Sequence, residues 1–207
     1  MVRTHVIGQR RVLTSSEWTI SGTVAAGMRR PCYLILHGYQ GSGPGHWQTW
    51  LAGRLRSGDA AVHYPDLPDA DHPQLRSWLE ALDAELAAIG EPPIVICHSL
   101  ACILWLHHVA AGGHPAERVL LVAPPSLAGV PEELAGFFPA PRVELLGNAR
   151  LVCSENDPYC PEGAANLYAG PVDLLTGQGH INPDAGYGAW PAVESWAREG
   201  SVPLTAR

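Results

Sequence analysis

A chain of 207 residues, 46% apolar and 16% charged, is long enough for one domain with a substantial core and too apolar to be disordered. Its formal charge is −7 and its thirteen basic residues are all arginines, scattered without a patch, so nucleic acid is not an expected partner. No apolar run approaches the ~18 residues of a membrane span, and "MVRTHVIGQRRVL" has no apolar stretch behind its arginines, so neither a span nor a signal peptide is expected.

Residues 1–30 stand apart from the rest. "SSEWTISGTVAAGMRR" alternates weakly at Trp18, Ile20 and Val24, and reads either as an extra edge strand or as a loosely ordered extension. From residue 31 onward, strand-like and helix-like segments alternate. "CYLILHG" (32–38) is a strand ending in a glycine turn, and after "GYQGSGPG" a helix is predicted over 46–55. A short strand follows in "AAVHYPDL" (60–67). Leu75, Trp78, Leu79, Leu82, Leu86 and Ile89 then recur at helical spacing, one apolar stripe facing a core. "PIVIC" (93–97) is a continuous apolar strand and 99–112 a helix. "RVLLVAP" (118–124), "ARLVCSE" (149–155) and "PVDLL" (171–175) are further strands, and a last helix is expected near 188–198. Strands without polar alternation, separated by helices, form a parallel sheet covered on both faces. The expectation is a single α/β domain over 31–207. Cys32, Cys97, Cys102 and Cys153 lie in or beside apolar segments and read as small buried hydrophobes of a reducing, cytoplasmic compartment.

Ser99 sits where a buried strand meets a helix. Serine there is either an N-cap or a nucleophile on a strand-to-helix elbow. The full G-x-S-x-G pattern is absent: Cys97 and Ala101 occupy the glycine positions, and both are small enough for a tight turn. A serine hydroxyl needs a base. His180, in the glycine-rich "GQGHINPDAGYG" after the last strand, is the candidate. His98 is expected to point elsewhere, His37 to order the glycine turn, and His107 and His108 to favour a helix C-terminus. An acid must hold the imidazole, and "CSENDPYC" offers Glu155 and Asp157. Asp157, further out at the turn, is preferred; the alternative is an Asx-turn before proline. The order Ser99, Asp157, His180 is that of α/β-hydrolases. Two amides complete such a site: Leu100 at the helix N-terminus, and Tyr39 or Gln40 in the glycine loop. Tyr39 is taken with Leu100 as the oxyanion hole and Gln40 as a substrate contact. A phosphate loop is excluded by the absence of G-K-[ST], indeed of any lysine. The chain between Pro124 and Ala149 is too short for a full cap. Phe137 and Phe138 within it are candidate apolar lining, the alternative being that they pack the crossover onto the sheet.

"HGYQGSGPGHWQTWL", "CHSLACILW", "SENDPYC" and "GHINPDAGYGAWP" together resemble the small α/β-hydrolases of the retinoblastoma-binding protein 9 and YdeN type, over residues 32 to 195. Members mostly read H-S-L-G at the elbow, where this chain has Ala101. The resemblance implies a six-stranded, mostly parallel sheet flanked by helices with a minimal cap, and serine hydrolase or carboxylesterase activity on Ser99, Asp157 and His180. It implies no cofactor and supplies no substrate. Hydrolysis of a small ester, with thioester or amide as variants, is the leading expectation. A protein-interaction module on the same fold is the alternative, although nothing in the sequence supports a protein partner. A metal-dependent hydrolase is disfavoured because the ten histidines lack ligand spacing.

Overall fold

The computed structural model describes residues 30–144 and 148–207. The edge strand or extension expected within residues 1–30 lies, but for Arg30, outside the described residues. Six strands run in the order β2-β1-β3-β4-β5-β6, every neighbouring pair parallel. They are β1 (Cys32–Leu36), β2 (Ala61–His63), β3 (Ile94–His98), β4 (Arg118–Val122), β5 (Ala149–Ser154) and β6 (Val172–Leu175). The central strands carry no polar alternation because both faces are covered. Leu34, Leu36, Val95, Cys97 and Leu121 face α2 (Leu75–Ile89) and α3 (Leu100–Ala110). Tyr33, Ile35, Ile96, Leu120 and Val122 face α1 (Trp47–Arg56) and α5 (Pro191–Glu199). This alternation of two apolar sets along one strand is what the period of two requires of a doubly covered sheet.

The helices end where their sequences dictate. The stripe Trp78, Leu82, Leu86 of α2 is buried, and Gly90 stops the helix in the left-handed conformation with its N–H on Leu86 O. Helix α3 is buried on nearly every side, from Leu100 through Leu106, which makes it the central helix of its layer. Helix α5 starts at Pro191, where a missing N–H costs nothing. A short helix, α4 (Ala164–Leu167), bridges β5 and β6. At the β6 edge, Asp173 accepts both arms of the Arg150 guanidinium at 2.7 and 2.6 Å and also the Leu204 N–H, so one carboxylate fastens the C-terminal segment to the sheet edge.

The segment from Pro125 to Val143 is the only chain available as a cap between β4 and β5 among the described residues, and it contains a 3-10 turn at Glu132–Phe137. Here the structure corrects an expectation. Phe137 is 1% exposed and meets the Trp78 ring edge-on at 5.4 Å. Phe138 packs against the same core. Neither lines the cleft. They anchor the crossover on the sheet, and the residues of the segment turned toward the cleft are Pro125, Val130 and Leu134. All five cysteines are buried with free thiols; Cys160 joins the four singled out in the sequence.

Candidate active site

The C-terminal ends of β1, β3 and β5, with the loop after β6, converge on one cleft, as the crevice rule for open parallel sheets requires. Strand β3 ends at His98, and α3 must double back at once. Ser99 makes that turn with φ 55° and ψ −124°, a conformation that costs a non-glycine residue ~1–3 kcal/mol. Its neighbours impose it: Ser99 N–H extends the ladder to Val122 O at 2.9 Å, and its carbonyl accepts from Cys102 N at 2.9 Å to start α3. Room for the turn comes from across the cleft. A Cβ on Gly38 would lie 2.8 Å from Ser99 Cβ and 3.0 Å from His98 O, so only glycine fits at the end of β1. The Ser99 side chain makes no capping bond to α3, which disposes of the N-cap alternative. Its Oγ lies 2.9 Å from His180 Nε2 instead.

His180 Nδ1 lies 2.9 Å from both carboxylate oxygens of Asp157. Since a carboxylate only accepts, Nδ1 carries the proton and Nε2 is left to accept from the serine. Asp157 is buried, and its Oδ1 also takes the Tyr159 N–H at 2.9 Å. Glu155 is exposed, its backbone N–H tied to Leu175 O; its side chain makes no hydrogen bond to the imidazole. The loops bearing Asp157 and His180 are fastened together by Asn156, whose Oδ1 accepts from Ser154 Oγ at 2.8 Å and Gly179 N at 2.9 Å, and by Ser154 Oγ, which accepts from Gln178 N. The Tyr159 ring covers the imidazole at 4.4 Å between centroids.

On the glycine loop, the Gln40 N–H is spent on Ala70 O at 2.8 Å. Of the two candidate amides this leaves that of Tyr39, which with Leu100, at the first turn of α3 where helical amides lack intrahelical acceptors, lines the cleft. Tyr39, Gln40 and Leu100 all line the cleft, a cavity of about 310 Å³. The loop is held from beneath by Gln48, fully buried, whose amide donates to Leu36 O at 2.9 Å and accepts from Ser42 Oγ at 2.8 Å. From above, Tyr39 Oη donates to Glu133 on the cap segment at 2.8 Å. His37 orders the turn as expected: Nδ1 donates to Gly38 O and Nε2 accepts from Leu67 N, each at 2.8 Å.

Two histidines of the cleft escaped the sequence reading. His98 does not point away: its Nε2 donates to His180 O at 3.0 Å and its ring lies 5.0 Å from that of His180. His46 adds a third imidazole, 4.8 Å from His98. Burial, with His180 and His46 alongside, holds His98 well below the ordinary histidine range. Burial beside His180 and His37 brings His46 down to about 4. Both are therefore neutral at ordinary pH. The one available signal was the histidine in "GHW", immediately before a helix.

A doubly covered parallel sheet with a serine on a strained strand-to-helix turn, facing a histidine and a buried aspartate, is the α/β-hydrolase arrangement. A model of the family described as "Serine hydrolase" matches residues 33–198, and the chain belongs to that family. YdeN of Bacillus subtilis (strain 168), which is named as a hydrolase, is 25% identical over 178 residues, covering 80% of this chain and 93% of YdeN. The crystal structure of the B. subtilis ydeN product superposes with a TM-score of 0.65 at 21% identity, covering 80% of this chain and 95% of that one. A YdeN-like protein of Pectobacterium atrosepticum reaches a TM-score of 0.68 at 24% identity, over 81% and 90%. Among the described residues no helix is long and apolar enough to cross a membrane.

Proposed function

We propose that this serine hydrolase cleaves small carboxylic esters through an acyl-enzyme on Ser99. The observation that carries the reading is the unbroken chain Asp157–His180–Ser99, with 2.9 Å at each link, at a serine whose strained backbone serves no cap. In the first half-reaction Ser99 Oγ bonds to the ester carbonyl carbon while His180 Nε2 takes its proton. Asp157 stabilises the imidazolium so formed. The carbonyl electron pair, now on oxygen, is met by the N–H groups of Leu100 and Tyr39. Collapse expels the alcohol, which leaves with the proton from His180. Water then repeats the sequence: His180 takes its proton, the acid departs, and Ser99 recovers its hydrogen. Thioesters and amides would follow the same path, differing in leaving group. A purely binding role would not call for an acid, a base and a hydroxyl aligned at these distances.

The test is labelling by a fluorophosphonate, which reacts with a serine activated by its histidine. Wild-type protein should be labelled at Ser99 and should hydrolyse p-nitrophenyl butyrate, and Ser99→Ala should do neither. An unlabelled wild type, or a label at another residue, would overturn the reading.

A further inference from the structure

The cleft holds two ring nitrogens that the proposed chemistry does not use. His46 Nδ1 accepts the Gln48 N–H at 3.1 Å and so caps α1. A neutral imidazole that accepts at Nδ1 carries its proton at Nε2. His46 is 5% exposed and lines the cleft, yet no hydrogen-bond acceptor for its Nε2–H is found among the described residues. His98 is the complement. Its Nε2–H is committed to His180 O, which leaves Nδ1 as an acceptor. The two rings are 4.8 Å apart. A donor and an acceptor on neighbouring rings of one cleft wall suit a group that both accepts and donates; on the leaving alcohol of an ester that group is a hydroxyl, whose oxygen accepts from His46 while its hydrogen goes to His98. The suppressed basicity of both rings keeps this pair unchanged across the working pH range. An ammonium would leave the His46 donor unmatched, and a carboxylate would face the His98 lone pair.

The subsite also has a side. His180 must hand its proton to the departing alcohol, so the region next to its ring receives the leaving group. His98 lies there, its ring 5.0 Å from that of His180 and 5.8 Å from that of Trp47 on α1. Val130 and Leu134 lie on the opposite, apolar side with α2 and α3. The acyl chain belongs on the apolar side and the alcohol against the histidines.

We propose that His46 and His98 form a recognition site for a second hydroxyl on the leaving alcohol, so that the preferred substrates are monoesters of a diol or polyol. This rests on the ester-hydrolase reading above. The experiment compares 2-hydroxyethyl butyrate with propyl butyrate, which share an acyl group and a chain length and differ by OH against CH₃. Each kcat/KM is normalised to the ester's own rate of alkaline hydrolysis. Wild type should favour the hydroxy ester by about tenfold, the worth of one well-formed hydrogen bond. His46→Asn keeps an acceptor near the position of Nδ1 for the helix cap but withdraws the donor from the cleft. It should bring the ratio close to one, whatever happens to the absolute rates. A wild-type ratio near one, with Ser99-dependent hydrolysis of both esters, overturns the subsite and leaves the hydrolase reading standing. A ratio of ten that survives in His46→Asn overturns the role of His46. If neither these esters nor p-nitrophenyl butyrate is hydrolysed in a Ser99-dependent way, the hydrolase reading falls and this inference with it. The wild-type ratio decides by itself should the variant not fold.

Discussion

At Ser99 the chain gives up stability for position. A φ of 55° on a β-carbon-bearing residue is tolerated because β3, β4 and α3 all pull on the same peptide. Glycine at this position would relax the strain without moving the backbone. Ser99→Gly is therefore expected to raise the unfolding free energy by ~1 kcal/mol in urea titration while abolishing ester hydrolysis. Ser99→Ala keeps the strain, should fold as the wild type does, and should lose at least about a thousandfold in kcat/KM. Gly38 is the partner of this turn. Gly38→Ala sets a methyl 2.8 Å from Ser99 Cβ, so either β1 or the elbow must shift, at ~1–3 kcal/mol. Its kcat/KM for p-nitrophenyl butyrate should drop far more than its stability, because a displacement of under an ångström suffices to spoil alignment. Between the two carboxylates, Asp157→Asn should remove most of the activity and Glu155→Gln little of it; the reverse ranking in a p-nitrophenyl butyrate assay would refute the assignment. That Asp157 would stand beside His180 could be read from the sequence because a residue just past a strand end, at a turn, is delivered to the cleft by the strand itself.

Among the elements, α1 carries a pH dependence through its cap. His46 titrates near 6.5 when unfolded and at about 4 when folded. Between these values the unfolded chain binds a proton that the folded chain refuses, so this contribution to stability is whole above pH 6.5, falls as the pH drops toward 4, and changes no further below. At roughly 1.36 kcal/mol per pH unit the interval amounts to about 3 kcal/mol. Denaturant unfolding measured from pH 7 to 4 should show the wild type losing stability steeply, and His46→Asn losing distinctly less. Equal slopes in the two proteins would mean that His46 is not held neutral. The sequence could not reveal this. The neutrality of His46 comes first from its burial and then from the approach of His180 and His37, contributed by the loop after β6 and by the end of β1, and no local pattern records that convergence. The cap segment misled for the opposite reason. Phe137 and Phe138 are its most apolar residues, and for that reason the core took them, with Phe137 against Trp78. The smaller Val130 and Leu134 were left for the cleft. By contrast, five of the six strands and the four long helices α1, α2, α3 and α5 were readable within a few residues, since buried strands and an amphipathic helix write their periods directly into the chain. The short β2 was bracketed by a longer stretch, of which only Ala61–His63 pairs with β1.

The whole molecule sets the size of its substrate. One sheet brings the proposed nucleophile, acid and base to a single rim, and the chain between β4 and β5 supplies only a short flap over it. That flap is fixed rather than loose. Gly129 lies so close to the Tyr159 backbone that a Cβ there would come within 2.2 Å of its carbonyl oxygen. Ser126 N–H bonds the same oxygen at 2.9 Å, and Tyr168 Oη donates to Pro125 O at 2.6 Å. With a cavity of about 310 Å³ bounded on its apolar side by Leu134 and Val130, the expectation is a preference for short acyl chains. In a long tunnel each added CH₂ would contribute ~0.8 kcal/mol, close to fourfold in kcat/KM. Here that gain should stop at about four carbons and then reverse. p-Nitrophenyl esters from acetate to dodecanoate, assayed below their micelle concentrations, give the profile. Leu134→Ala opens the wall without touching the hydrogen-bonded chain, and should move the optimum toward longer acyl groups at a cost of ~2–5 kcal/mol in stability. A wild-type kcat/KM that climbs steadily to the long chains would show that the flap yields to substrate, and that the cavity volume does not set the limit.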